Sequence, residues 1–159
     1  MSEATASGTA QRVVRLADLP ALAGQHLGTS RPLQVTQADV DAFAEVTRDR
    51  QWLHVDPQRA ASGPFGTTIA HGYLTLSLAT ALLWDVLEVP DARQIVNIGL
   101  DRVRFTAPVP TGSHLRADVA LNTVREVRGG LQVTCGLTYH VAGGERPVCT
   151  ADVVLRYYA

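Results

Sequence analysis

The sequence predicts an α+β fold in which an antiparallel sheet wraps around one long apolar helix, and three observations carry that expectation. Residues 72–87 place Tyr73, Leu74, Leu76, Leu78, Ala79, Leu82, Leu83, Trp84 and Val86 around nearly the whole circumference of a helix, and a helix apolar all round has to be buried. From residue 94 onward the apolar period changes from helical to two, the mark of half-buried strands that could provide the cover. Gly129-Gly130 and Gly143-Gly144 then punctuate those strands at hairpin positions, which makes the sheet antiparallel there.

Taken in order, residues 1–12 read as a flexible tail and 13–159 as a single domain, the usual outcome for a chain of 159 residues. Residues 13–22 carry weak helical periodicity, limited by Pro20 and closed near Gly24. Residues 36–47 predict a short amphipathic helix: Thr36 can cap, Asp39 suits the positive N-terminal end, and Val40, Phe43 and Ala44 share a face. Between 47 and 70 periodicity disappears and polar groups and turn formers gather, an irregular stretch long enough to suggest a function. The apolar helix follows, about 24 Å long if it runs from 72 to 87, with Pro90 beyond it.

Alternation is strict in Leu131, Val133, Cys135, Leu137, Tyr139 and Val141, and recurs in Leu115 to Leu121 and in Cys149 to Tyr157. The strand at 95–107 changes phase between Leu100 and Val103, which a bulge or bend near 99–101 would reconcile.

With 46% hydrophobic and 18% charged residues the chain can bury a sizeable core. Fourteen arginines, no lysines and 15 acids give a net charge of -1, which removes the broad basic surface of a nucleic-acid binder. Cys135 and Cys149 fall on the apolar phase of their strands and read as buried, reduced thiols. No basic n-region precedes an apolar block at the start, and residues 72–87 are too short to span a bilayer. A cytoplasmic protein without a membrane partner is the expectation.

The chemistry concentrates in residues 47–57, TRDRQWLHVDP, followed by Phe65-Gly66 and by His71-Gly72 at the mouth of the apolar helix. An acid and a histidine five residues apart in a loop can face one another across a turn and hold a water between them. Asp49 as a turn cap and His54 as a structural histidine is the bland alternative, which spacing alone leaves open. A divalent metal on His54, Asp56 and His71 would have suitable ligand types, but no compact metal-binding spacing supports it, so no metal is expected.

The same residues make the sequence resemble the MaoC-like family of (R)-specific enoyl-CoA hydratases and dehydratases, including its NodN-like branch. The family's hydratase motif reads roughly S-G-D-x-N-P-x-H-x-D, followed by a small-residue loop and an H-G pair opening a long helix. Asp49 matches its catalytic aspartate, His54 its catalytic histidine, Asp56-Pro57 the acid and proline after it, and His71-Gly72 the H-G pair. Val103-Arg104-Phe105 and Ala107-Pro108-Val109 are similar to the family's V-R-F-x-x-P-V strand. Gln51 and Trp52 replace the common Asn and Pro, and Thr47-Arg48 replace Ser-Gly; glutamine can reproduce the asparagine's hydrogen bonds from a longer stem.

The resemblance implies the hot-dog fold, a homodimer, and an acyl-CoA thioester bound at the dimer interface with no separate cofactor. It implies reversible addition of water to a trans-2-enoyl-CoA to give an (R)-3-hydroxyacyl-CoA, within fatty acid metabolism. Asp49 and His54 would hold and activate the water. The Gly72 N–H would receive the thioester oxyanion, since the first N–H groups of a helix lack intrahelical partners. Gln51, His71 and Thr80 would support the pair, His71 either as a second catalytic group or as the ring that fixes the loop against the helix. Arg102, Arg104 and Arg93 are candidates for the CoA phosphates, which guanidinium forks suit, though solvated strand positions explain them equally. The rival readings are a hot-dog acyl-CoA thioesterase and a non-catalytic acyl-thioester binding module.

Overall fold

The computed structural model describes residues 8–159. The part of the expected tail at residues 1–7 lies outside the described residues, and the rest of it is held. Thr9 donates its N–H to Thr29 O and takes the Thr29 N–H on its Oγ1, each at 2.9 Å. Strand β1 (Arg12–Val13) pairs in parallel with β4 (Leu87–Glu88). The weak periodicity after it becomes a 3-10 helix at Leu16–Leu22, with Leu16 and Leu19 buried.

A six-stranded sheet forms the body. Its path runs β2 (Gln25–Thr29), β6 (His114–Val127), β7 (Gly130–Val141), β8 (Cys149–Tyr158), β5 (Gln94–Phe105), with β3 (Leu33–Gln34) also on β6. All these pairings are antiparallel. The predicted alternation is the register itself. Leu121 faces Cys135 and Cys135 faces Val153, so one inward row crosses three strands, and all three residues are buried. Two irregularities reset the phase of β5 rather than one: the pairing slips between Asn97 and Gly99 and again between Asp101 and Arg104.

Thr36 caps the helix as the sequence implies, and Asp39 adds the reciprocal bond that makes a capping box. Thr36 accepts the Asp39 N–H, the Asp39 carboxylate accepts the Thr36 N–H at 2.8 Å, and α1 runs Gln37–Thr47. The stretch read as irregular contains two short helices, α2 (Trp52–Val55) and α3 (Pro57–Ala61), the second with Pro57 in its first turn and Asp56 accepting the Arg59 N–H. They are too short to show periodicity.

The apolar helix is shorter than expected and interrupted. It divides into α4 (Gly72–Ser77) and α5 (Ala79–Trp84) at Leu78, where ψ is -5°. At its end Val86 N–H turns back to Leu83 O, a 3-10 closure, and Leu87 is taken into β4. Leu74, Ala79, Leu82 and Leu83 join the inward faces of β6, β7 and β8 in the hydrophobic core. The expectation of burial all round is corrected as well: Tyr73 is 72% exposed and Trp84 51% exposed. The sheet covers only part of the helix's circumference, and the remainder opens beside the edge strand β5.

Candidate active site

Asp49 follows α1 directly. Arg48, at φ 68°, ends the helix in the left-handed region and turns the chain, while Arg50 is committed to Glu45 by two 2.7 Å bonds. Those bonds hold the Glu45 carboxyl below the usual carboxylate range and leave the exposed Asp49 carboxylate to the site. His54 sits on α2 and is only 7% exposed. Its Nδ1 lies 2.7 Å from Ile69 O. A carbonyl oxygen can only accept, so Nδ1 carries the proton and the Nε2 lone pair is left to act.

His71 stacks on His54, with ring centroids 3.8 Å apart and planes 23° from parallel. A carboxylate oxygen of Asp49 and a ring nitrogen of each histidine all lie within 4.8 Å of one another. Two hydrogen bonds of ~2.8 Å span up to about 5.6 Å, so a single water can bond to both groups at separations of this order.

Beside His54 opens a cavity of about 410 Å³ whose lining includes His54, Ile69, Gly72, Thr75, Phe105 and Val109, but not Asp49. A Cβ on Gly72 would stand 3.3 Å from three carbons of the exposed Phe105 ring, so a side chain there would require the ring to give by a few tenths of an ångström. The Gly72 N–H begins α4, where helical donors have no helical acceptor.

The structure thus brings Asp49, His54, His71 and Gly72 together. Gln51 contributes through its backbone, accepting the His54 N–H at 3.0 Å and donating to an Asp49 carboxylate oxygen at 3.4 Å. Thr80 does not join them. It lines a separate cavity of about 200 Å³ with Leu83, Ile95 and Val153, because it lies beyond the Leu78 interruption. Arg102 is directed elsewhere too. In the second slip of β5 it adopts φ 51° and its Nε donates to Asp152 at 2.6 Å, in a polar groove with Asp118 and Asn122. Arg104 turns its guanidinium onto Val103 O at 2.7 Å, and Arg93 is exposed at the start of β5.

Three contributors were not anticipated. Gln37 donates to His54 O at 2.7 Å and accepts from Thr68 Oγ1 at 2.6 Å, tying α1 to α2 behind the imidazole. Thr75 lines the cavity, one turn along the helix from Gly72. For Thr68, a polar residue inside an otherwise small and apolar run, burial was the missing signal.

Residues 18–142 match the family model described as MaoC like domain. The chain belongs to the MaoC-like family. It is 46% identical over 145 residues to 3-hydroxyacyl-thioester dehydratase Z of Mycobacterium tuberculosis, covering 91% of this chain and 96% of the relative. It is 43% identical over 141 residues to Nodulation protein N of Rhizobium leguminosarum bv. viciae, covering 86% and 87%. Among solved structures, the (R)-hydratase from A. caviae involved in PHA biosynthesis superposes with a TM-score of 0.67 at 26% identity, covering 82% of this chain and 95% of that one. The fold is the hot dog, and the MaoC-like relatives include proteins named as dehydratases and hydratases.

Proposed function

We propose that this MaoC-like protein is an (R)-specific enoyl-CoA hydratase, adding water reversibly to a trans-2-enoyl-CoA to give the (R)-3-hydroxyacyl-CoA. The observation that supports the reading best is the Asp49 carboxylate within 4.8 Å of a ring nitrogen of His54, next to a cavity that also reaches the first residue of α4. In that reading the carboxylate and the unprotonated Nε2 of His54 grip one water. Its oxygen bonds to C3, one of its protons passes to the pair, and the pair returns a proton to C2. Negative charge collects on the thioester oxygen, which the Gly72 N–H receives; losing a comparable donor costs ~3 to 4 kcal/mol in other enzymes. The thioester is the whole requirement, and the site needs no separate cofactor.

The active form is a cytoplasmic homodimer built on the β5 edge. β5 ends the sheet with free backbone groups and exposes Ile98, Leu100 and Phe105, and exposed Tyr73 and Trp84 lie on the open side of the helix. An apolar edge strand left in water invites strand pairing, and a second copy would cover it. Among the described residues no helix is long and apolar enough to cross a membrane.

Mixing the purified protein with crotonyl-CoA tests the reading. Loss of enoyl absorbance without free thiol, with an (R) product, is the expected result. Release of free thiol would mean thioester hydrolysis, and binding without either change would mean a binding module; both would overturn it.

A further inference from the structure

His71 has more contacts in the site than a filler would need, and one contact fewer than its chemistry asks. It is 2% exposed, with a ring face on His54 and the Phe43 ring tilted against it at a centroid distance of 5.0 Å. Its Nε2 lies 2.9 Å from the backbone oxygen of Asp49. That oxygen only accepts, so Nε2 carries the proton. Nδ1 is then a buried lone pair with no partner among the described residues. A buried acceptor without a donor is a cost that an apolar ring of similar size would avoid.

The nitrogen on the other edge explains why the cost is borne. It is the link between the start of α4 and the loop that carries Asp49, a loop whose remaining bonds at Asp49 are long: 3.4 Å to Thr47 Oγ1 and 3.4 Å to Gln51 N. The flanking residues are held by Arg50 on Glu45 and by the His54 N–H on Gln51 O, and the His71 bond is the short one made at Asp49 itself. Chain continuity extends the effect, since His71 is the residue before Gly72 and the N-cap of α4.

We propose that His71 is a positioning residue: its Nε2–H anchors the Asp49 backbone to the start of α4, so one hydrogen bond fixes the loop that carries the carboxylate relative to the oxyanion donor. The inference rests on the hydratase reading for its kinetic test and on the geometry alone for its structural test.

The experiment compares wild type, His71→Phe and His71→Gln. Phenylalanine keeps the stack and loses the donor; glutamine restores a donor to the Asp49 carbonyl. For hydration of crotonyl-CoA, His71→Phe is expected to lower kcat at least ~10-fold with KM within ~3-fold, and His71→Gln to recover most of that loss, in keeping with the cost of misplacing catalytic groups. Backbone amide exchange across residues 48–52 should quicken in His71→Phe, return toward wild type in His71→Gln, and stay unchanged in β7 and β8. Wild-type kcat in His71→Phe, a rise in KM alone, or equal loss in both variants with a lowered melting temperature would each overturn the proposal. If the wild type shows no hydration, the functional reading fails and the exchange comparison alone decides for or against His71 as the anchor.

Discussion

The Asp49–His54 pair is held by bonds neither residue makes with the other: Ile69 O fixes the His54 proton on Nδ1, and His71 reaches the Asp49 backbone. Each member of the pair should therefore be needed separately. Asp49→Asn and His54→Ala are each expected to lower hydration at least ~10²-fold in steady-state assays while circular dichroism stays that of the wild type. The two thiols make a second prediction. Burial pushes Cys135 up to about 12 and Cys149 up to about 11 from an ordinary 9.0. Below pH 9 the thiol is protonated in both states; above it the unfolded chain ionises while the fold holds the proton, so stability is lost as pH rises from 9 toward 12. The urea midpoint should accordingly fall across that window, and a thiol reagent at pH 8 should label both cysteines only after unfolding; rapid native labelling would contradict the burial.

At this scale the sequence was readable where a motif states its own chemistry, as at Asp49, His54 and Gly72. It was not readable where a backbone conformation redirects a side chain. Arg102 alternates correctly along β5 on paper, and φ 51° at a slip in the pairing takes it to Asp152 instead. Gln37 and Thr68 were hidden because their bond joins residues 31 apart.

Elements follow the same division. Helix α1 was legible because its Thr36 cap is local, and Thr36→Ala, which removes one half of the capping box, should cost ~1 kcal/mol in denaturant unfolding. The hairpin between β6 and β7 was legible from Gly129-Gly130, and the structure shows why the second glycine is required. A Cβ on Gly130 would stand 1.9 Å from Tyr157 O, a backbone atom that no rotamer can move. Gly130→Ala should destabilise by about 2 kcal/mol or more, read as a fall in urea midpoint at unchanged m. The helix at 72–87 was legible as apolar but not in its length or its break, because Leu78 and Leu87 are apolar whether they continue a helix, interrupt it or enter a strand. Strands β2 and β3 lack alternation of their own, with Gly28 at φ 150° and a bulge beside it, and exist through pairing with β6.

Across the whole molecule, the open side of the helix and the edge of the sheet belong to one problem. Tyr73, Trp84, Ile98, Leu100 and Phe105 are large apolar side chains left in water by a single copy. Phe105 also lines the cavity that Gly72 lines, so covering β5 would order the cavity's rim together with the dimer. Leu100→Arg should shift sedimentation equilibrium from dimer toward monomer and weaken hydration with it, while a wild type that sediments as a monomer would contradict the dimer. The most direct measurement of the central claim follows crotonyl-CoA by enoyl absorbance and chiral product analysis, with wild type and Asp49→Asn side by side. The account predicts (R)-3-hydroxybutyryl-CoA from the wild type, no free thiol, and a rate at least ~10²-fold lower in the variant. Equal hydration rates in the two proteins, or thiol release by the wild type, would contradict it.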